Sequence, residues 1–262
     1  MEFNERYGPW ALVAGASEGL GAAFADECAS RGCNVVLIAR RAHVLDETAA
    51  KIRAAHGVET RVLAADLGSS DIGDMVAEAT DDIEVGLFVY NAAAAPMGPF
   101  VEVDLAEHIV NIAVNVTTPT VLTHMLAKKM VARGHGGVVL VSSGGALQGM
   151  KIFVSYGAAK SYELMLGEGL WDELRDHGVD ALAYVVGATA TPHFVESTDK
   201  DAVEATGAIT PEQAARRLFD VLGTGPRGYS NPRDEASAIA NAALPRAEVV
   251  AATGRITGPL WG

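Results

Sequence analysis

The chain has 262 residues, 49% hydrophobic and 20% charged, a balance that excludes a disordered protein and allows a sizeable core. A net charge of −13 excludes a nucleic-acid surface, which needs clustered Lys and Arg to meet phosphates. No uninterrupted apolar run approaches the roughly 18 residues of a membrane span, and the opening "MEFNERYGPW" is polar and acidic, unlike a secretion signal. A cytoplasmic protein with no membrane span is expected.

In chain order, short apolar runs alternate with longer helical patterns. The runs are "WALVAG" (10–15), "NVVLIA" (34–39), "TRVLAAD" (60–66), "VGLFVYN" (85–91), "GVVLVSS" (137–143) and "DALAYVVG" (180–187). Several are apolar at nearly every position, as strands covered on both faces of a parallel sheet must be. Segments 20–31, 42–56, 69–80, 104–132 and 157–177 between them are long enough for crossover helices. The pattern predicts one doubly wound α/β domain over residues 1–262, with a mostly parallel sheet of about seven strands. Acidic residues between Asp66 and Glu84 read as a solvated face. Cys28 and Cys33 read as buried or half-buried thiols, and seven scattered histidines show no metal spacing.

Further on, 192–209 is irregular and reads either as a loop covering a pocket or as a surface excursion. "TPEQAARRLFDVLG" (210–223) predicts a helix capped by Thr210 with Pro211 at its first position, and "RGYSN" a last short strand. The tail from Pro232 carries no clear pattern.

The first strand runs into "AGASEGLG" (14–21) and then a helix, placing Gly15, Gly19 and Gly21 at a sharp strand-to-helix turn. Without side chains there, a pyrophosphate can approach the backbone, where free N–H groups and the helix dipole favour an anion. The spacing G-x-x-x-G-x-G resembles the short-chain dehydrogenase/reductase family, with Ala14 in place of that family's usual threonine.

The resemblance implies a Rossmann-type fold and a set of site residues. Ser17 and Leu20 lie within the glycine loop, and Asp66 with Leu67 follow the third strand where the family meets adenine. Asn91 follows the fourth strand, although "YNAA" places Tyr90 and Ala93 where the family has Asn and Gly. After the sixth strand "VGATAT" keeps Gly187 and Thr191 but has Val186 for proline. The second strand ends in "LIARR", with no acid to meet a ribose 2′-hydroxyl and with Arg40 and Arg41 available to a 2′-phosphate. NADP(H) is therefore the expected cofactor, with NAD(H) as the alternative.

The family's catalytic set falls on Asn115, Ser143, Tyr156 and Lys160. Ser143 stands thirteen residues before Tyr156, whereas Ser142 points to the other side of the strand. Tyr156 and Lys160, four apart in "SYGAAK", share one face of a helix. A free phenol titrates near pH 10, so work at neutral pH requires about 4 kcal/mol of preferential stabilisation of phenolate. The resemblance implies that Lys160 supplies positive charge and binds the nicotinamide ribose. It further implies that Ser143 holds the substrate oxygen and that Asn115 fixes a relay water. On these terms Tyr156 and Lys160 also count among the cofactor contacts.

Residues expected on the substrate side are Leu147, Met150, Phe153, Val154, His193 and Phe194, with Ala94, Pro96 and Met97 near them. This mainly apolar set implies a hydrophobic ketone or secondary alcohol. The opening "YGPWALVAGASEGLGAAFA" looks like the branch of 3-ketoacyl and 17β-hydroxysteroid reductases. Steroid, acyl and aromatic substrates stay open, as does an oxidative alcohol dehydrogenase. A non-enzymatic sensor that binds NADP would have no chemical need for Ser143, Tyr156 and Lys160 together. Segment 157–177 is expected to pair subunits in a homodimer or homotetramer, with Gly167 and Gly169 permitting close approach.

Overall fold

A computed structural model describes residues 3–191 and 207–258. Helix α1 (Phe3–Tyr7) leads into β1 (Trp10–Ala14), whose five residues are all buried because helices cover both faces of the sheet. The chain winds outward through α2 (Gly19–Ser30), β2 (Asn34–Ala39), α3 (Ala42–His56) and β3 (Thr60–Ala64). It returns by α4 (Ile72–Ala79) to β4 (Val85–Tyr90), which lies on the other side of β1. From there α5 (Leu105–Ile112) and α6 (Thr118–Arg133) lead to β5 (Gly136–Ser143), and α7 (Val154–Leu174) leads to β6 (Val179–Val186). Helix α8 (Pro211–Val221) precedes the short β7 (Arg227–Tyr229).

The strand order is β3-β2-β1-β4-β5-β6-β7, and every pairing is parallel. The winding reverses between β1 and β4. A crevice opens there beyond the carboxyl ends of the strands, the place where such sheets bind ligands.

Alternate residues of the strands feed two large cores on opposite faces of the sheet, with a smaller cluster at β6 and β7. On one face Val13, Leu37, Val89 and Tyr184 meet Phe24, Leu45, Ile52 and Leu218 from α2, α3 and α8. On the other, Leu12, Ile38, Phe88 and Leu140 meet Val76, Leu122, Leu126 and Met130 from α4 and α6. Cys28 and Cys33 are free and buried in the first core, and burial pushes both thiols up, Cys33 to about 11.

Two segments depart from the sequence reading. The single helix expected over 104–132 is broken by a π turn, Ala113–Thr117. Pro119 has no N–H to return to the carbonyl of Asn115, and the Thr118 N–H reaches back five residues to Ala113. The run Leu105–Arg133 is long and apolar enough, at a mean hydropathy of 1.2, to cross a membrane, yet 44% of its apolar window is buried within the fold. The second departure is the tail, which forms α9 (Pro232–Ala242) and α10 (Arg246–Thr257). Asn231 caps α9 by accepting from the Arg233 N–H at 2.9 Å.

Helix α8 follows expectation. The Thr210 hydroxyl accepts from the Gln213 N–H at 3.2 Å, while the Gln213 side chain accepts from the Thr210 N–H at 2.8 Å.

Candidate active site

The glycine loop closes the crevice from the β1 side. Gly15 has a φ of +82°, a left-handed conformation suited to glycine, and a Cβ there would come within 2.8 Å of the Ala92 backbone. A Cβ on Gly21 would sit 1.9 Å from the Gly15 carbonyl oxygen and 2.7 Å from Asn91 Nδ2. Asn91 donates to that same carbonyl at 3.2 Å, so the end of β4 is tied to the loop. These contacts leave bare backbone at the start of α2, a cradle that fits a dinucleotide pyrophosphate. Leu20 points away into the core and anchors the loop from behind.

At the far end of the crevice Arg40 and Arg41 are both exposed. Arg41 is already paired with Glu18 of the glycine loop, a contact not anticipated from sequence. Among the described residues Arg40 forms no ion pair. Ser17 offers its carbonyl to the Thr48 hydroxyl at 2.9 Å. Asp66 is exposed in a turn and accepts from the Gly68 N–H at 2.9 Å. The Leu67 side chain is core, so its backbone alone is open to a ligand at that position; its carbonyl accepts from the Thr118 hydroxyl at 2.5 Å.

The chemistry-bearing residues gather where β5 meets α7. Ser142 and Ser143 point to opposite faces of β5. Buried Ser142 donates to the Lys160 carbonyl at 2.7 Å and so grips α7, whereas Ser143 accepts from the Gly145 N–H at 3.1 Å and keeps its own proton to donate. Tyr156 is half-buried in the first turn of α7, its ring 6.2 Å from that of Phe153 in an edge-on contact. Among the described residues no hydrogen bond joins Tyr156 to Ser143 or to Lys160.

Lys160 is buried. Its Nζ donates to the Val141 carbonyl at 2.9 Å and to Glu163 Oε2 at 2.7 Å. Both members of that ion pair are buried, at 3% and 0% side-chain exposure. Burial pushes the Glu163 carboxyl up to about 7, with the Lys160 charge pulling against it. From β4, Tyr90 donates to the Val114 carbonyl within the π turn, and burial and then the Glu163 charge push its phenol well up. Spacing alone could not find Glu163, because a glutamate in a helix ordinarily reads as surface.

Asn115 is fully buried in the π turn, and its side chain bonds to Ala94 and Asn111. Its Nδ2 donates to Ala94 O at 2.7 Å and to Asn111 Oδ1 at 2.5 Å, and its Oδ1 accepts from the Ala94 N–H at 3.0 Å. It therefore pins the segment after β4 rather than reaching Lys160. Its backbone carbonyl receives no α-helical donor, because residue 119 is a proline.

Apolar side chains wall the open side. Met150 covers the Ser143 turn so closely that a Cβ on Gly145 would meet its Cε at 2.3 Å. Leu147 packs on the buried cluster of Ala146, Leu164 and Val185. Ile152 is held at a φ of +64°, an uncommon conformation for a β-branched residue, while its carbonyl accepts from the Gly98 N–H at 2.9 Å. Helix α10 is laid over this segment by Arg246, which donates to Leu147 O at 2.7 Å, and by Thr257, which donates to Lys151 O at 2.9 Å. Beyond β6, Gly187 donates to the Ser230 hydroxyl at 3.1 Å, and a Cβ there would collide with the Asp234 carboxylate. Burial raises that carboxyl. Thr191 lies just past it and donates its N–H to Thr189 O at 2.7 Å. His193 and Phe194 lie outside the described residues, with most of the segment expected to cover the pocket.

Residues 9–202 match the family model of the short chain dehydrogenases. The chain is 31% identical to a 7beta-hydroxysteroid dehydrogenase of Clostridium sardiniense, over 98% of each chain. It is 29% identical to a human very-long-chain 3-oxoacyl-CoA reductase, over 75% of this chain and 65% of that one. A solved 7beta-hydroxysteroid dehydrogenase superposes with a TM-score of 0.92 at 30% identity, covering 97% of this chain and 99% of that one. A short-chain dehydrogenase of Sphingobium yanoikuyae in complex with NADPH superposes with a TM-score of 0.77 at 27% identity, covering 91% and 97%. With a glycine cradle at the switch point and Ser143, Tyr156 and Lys160 brought to one strand end, the chain belongs to the short chain dehydrogenase family and is an NAD(P)-dependent oxidoreductase.

Proposed function

We propose that the chain, acting as one domain, interconverts a ketone and a secondary alcohol on a hydrophobic substrate of hydroxysteroid size, using NADP(H). The observation that carries this reading is the apolar wall around Ser143, with α10 tied across residues 147–151. The 7beta-hydroxysteroid dehydrogenase likeness runs through that same C-terminal part, since it spans 98% of both chains.

The bound nicotinamide supplies or takes the hydride. The protein manages the oxygen and its proton. Ser143 donates to the substrate oxygen while its own oxygen accepts from the Gly145 N–H. Tyr156 passes the proton, and its place in the first turn of a 21-residue helix favours negative charge on its oxygen. Lys160 adds positive charge from below, with the third of its ammonium hydrogens left for the ribose side. Arg40 is the main partner of a 2′-phosphate, because Arg41 is matched by Glu18. An exposed apolar stripe on α5 and α7, with Leu105, Ile109 and Met165, supports pairing of two copies on that face.

The test is a panel of 7-oxo and 7-hydroxy steroids, 3-oxoacyl thioesters and aromatic ketones, each followed at the nicotinamide absorbance band with NADP(H) and NAD(H). Turnover of a steroid with NADP(H) is expected, and Tyr156→Phe should bind cofactor but lose nearly all of it. Full activity of Tyr156→Phe removes the mechanism; activity confined to short acyl thioesters removes the substrate class.

A further inference from the structure

Glu163 is a buried charged group that the reaction above leaves without a task. It sits on α7 one turn past Lys160, with Oε2 accepting from Nζ at 2.7 Å and with Oε1 fully buried and unpartnered. A core carboxylate with a bare oxygen is costly to keep, and an apolar residue would pack there at less expense. The titratable groups facing it are Lys160 on its own helix and the Tyr90 phenol from β4. The other elements packed on α7 bring charges that are engaged elsewhere: His108 of α5 is bonded to Ser155, and Arg227 of β7 to Glu168. Strand β5 contributes the Val141 carbonyl.

We propose that Glu163 is the counter-ion of Lys160 and that, acting through Lys160, it sets the pH at which Tyr156 releases its proton. This rests on the Tyr156–Lys160 reading given above. Glu163 is a positioning residue, because its fully buried side chain acts through Lys160. It does two things. With Val141 O it fixes two of the three Nζ donors, so that the direction of the third is fixed as well. It also compensates the ammonium, so that ionising Tyr156 takes the unit from neutral to negative. Without the carboxylate the unit starts at +1, and the first proton leaves at lower pH whichever of the two groups releases it.

The experiment needs no substrate. The phenolate absorbance of the NADP⁺-saturated protein is titrated with pH, and subtraction of Tyr156→Phe isolates the signal of Tyr156. In Glu163→Gln, which keeps the shape and an acceptor for Nζ, the midpoint should fall by about one pH unit or more, a tenfold change in proton affinity. Glu163→Asp, with its charge retreated by one methylene, should move the same way by less. A midpoint unchanged in Glu163→Gln overturns the proposal and leaves Tyr156 as the proton carrier. Should Glu163→Gln fail to fold, an unchanged midpoint in Glu163→Asp overturns it equally. If Tyr156→Phe subtracts no signal at all, the underlying reading of Tyr156 falls, and the role of Glu163 falls with it.

Discussion

Two glycines on α7 should respond in opposite ways to the same substitution. A Cβ on Gly167 would lie 2.9 Å from Ala183 Cβ and 3.1 Å from both Ala183 Cα and N, against an ordinary carbon–carbon contact of about 3.5–4.0 Å. The obstacle is the backbone of β6, so the helix or the strand has to move, and such overpacking costs about 1–3 kcal/mol. Replacing glycine by alanine inside a helix returns about 1 kcal/mol. A Cβ on Gly169 meets nothing within 4 Å, so there the gain stands alone. Gly169→Ala should therefore be more stable than the parent chain, and Gly167→Ala less stable than Gly169→Ala by about 1–3 kcal/mol, the overpacking term itself. Urea unfolding followed by far-ultraviolet circular dichroism gives both values from the midpoint and slope. Equal stability of the two variants would refute the close approach of α7 to β6. A loss in Gly169→Ala that depends on protein concentration would place a second copy against that position. Gly167 thus packs against β6 within the chain, while Gly169 meets nothing within 4 Å.

Lys160→Met should cost about 3–5 kcal/mol at pH 8, because it strands the Glu163 carboxylate in the core. The Glu163 carboxyl is raised above its unfolded value of 4.5 to about 7, and without Lys160 it rises further. The folded variant then holds its proton to a higher pH than the parent chain does, so the loss is full above that raised pKa and shrinks as pH falls through it toward 7, below which both folded forms are protonated and the loss stays constant. Unfolding curves at pH 8 and pH 5.5 that show the same loss would contradict this. Arg40→Ala should weaken NADPH binding about tenfold to a hundredfold, the worth of a charge-assisted hydrogen bond, with NADH binding changed much less. Glu18→Gln should tighten NADPH by releasing Arg41; equal effects on both cofactors, by direct titration, would remove the 2′-phosphate assignment.

Buried strands announce themselves, and the winding around them follows. β2 and α3 have the bounds read from sequence because "NVVLIA" is apolar throughout and Gly57, at a φ of +70°, ends the helix after it. The π turn was legible in principle from Pro119, but a proline near a helix start is also common, and only the packing of Asn115 tells the two apart. Helix α9 escaped because it buries no residue and so carries no apolar period, although Asn231, Pro232, Asp234 and Glu235 make a recognisable start. Within the site, Ser143, Tyr156 and Lys160 follow from spacing along the chain. Glu163 and Asp234 do not, because their importance lies in what faces them across the sheet end, and no local pattern records which side of a helix is covered.

Ser142 and Ser143, one residue apart on opposite faces of β5, have a consequence for how such a site can diversify. The inner hydroxyl holds α7 at Lys160, and the outer one is the hydroxyl proposed to address the substrate, so the pleat of the strand sets the distance between them. The span 144–153 that joins β5 to α7 is thereby relieved of registering the chemistry. It can be rewritten to suit a new substrate outline while the proton-handling residues stay where the strand has put them.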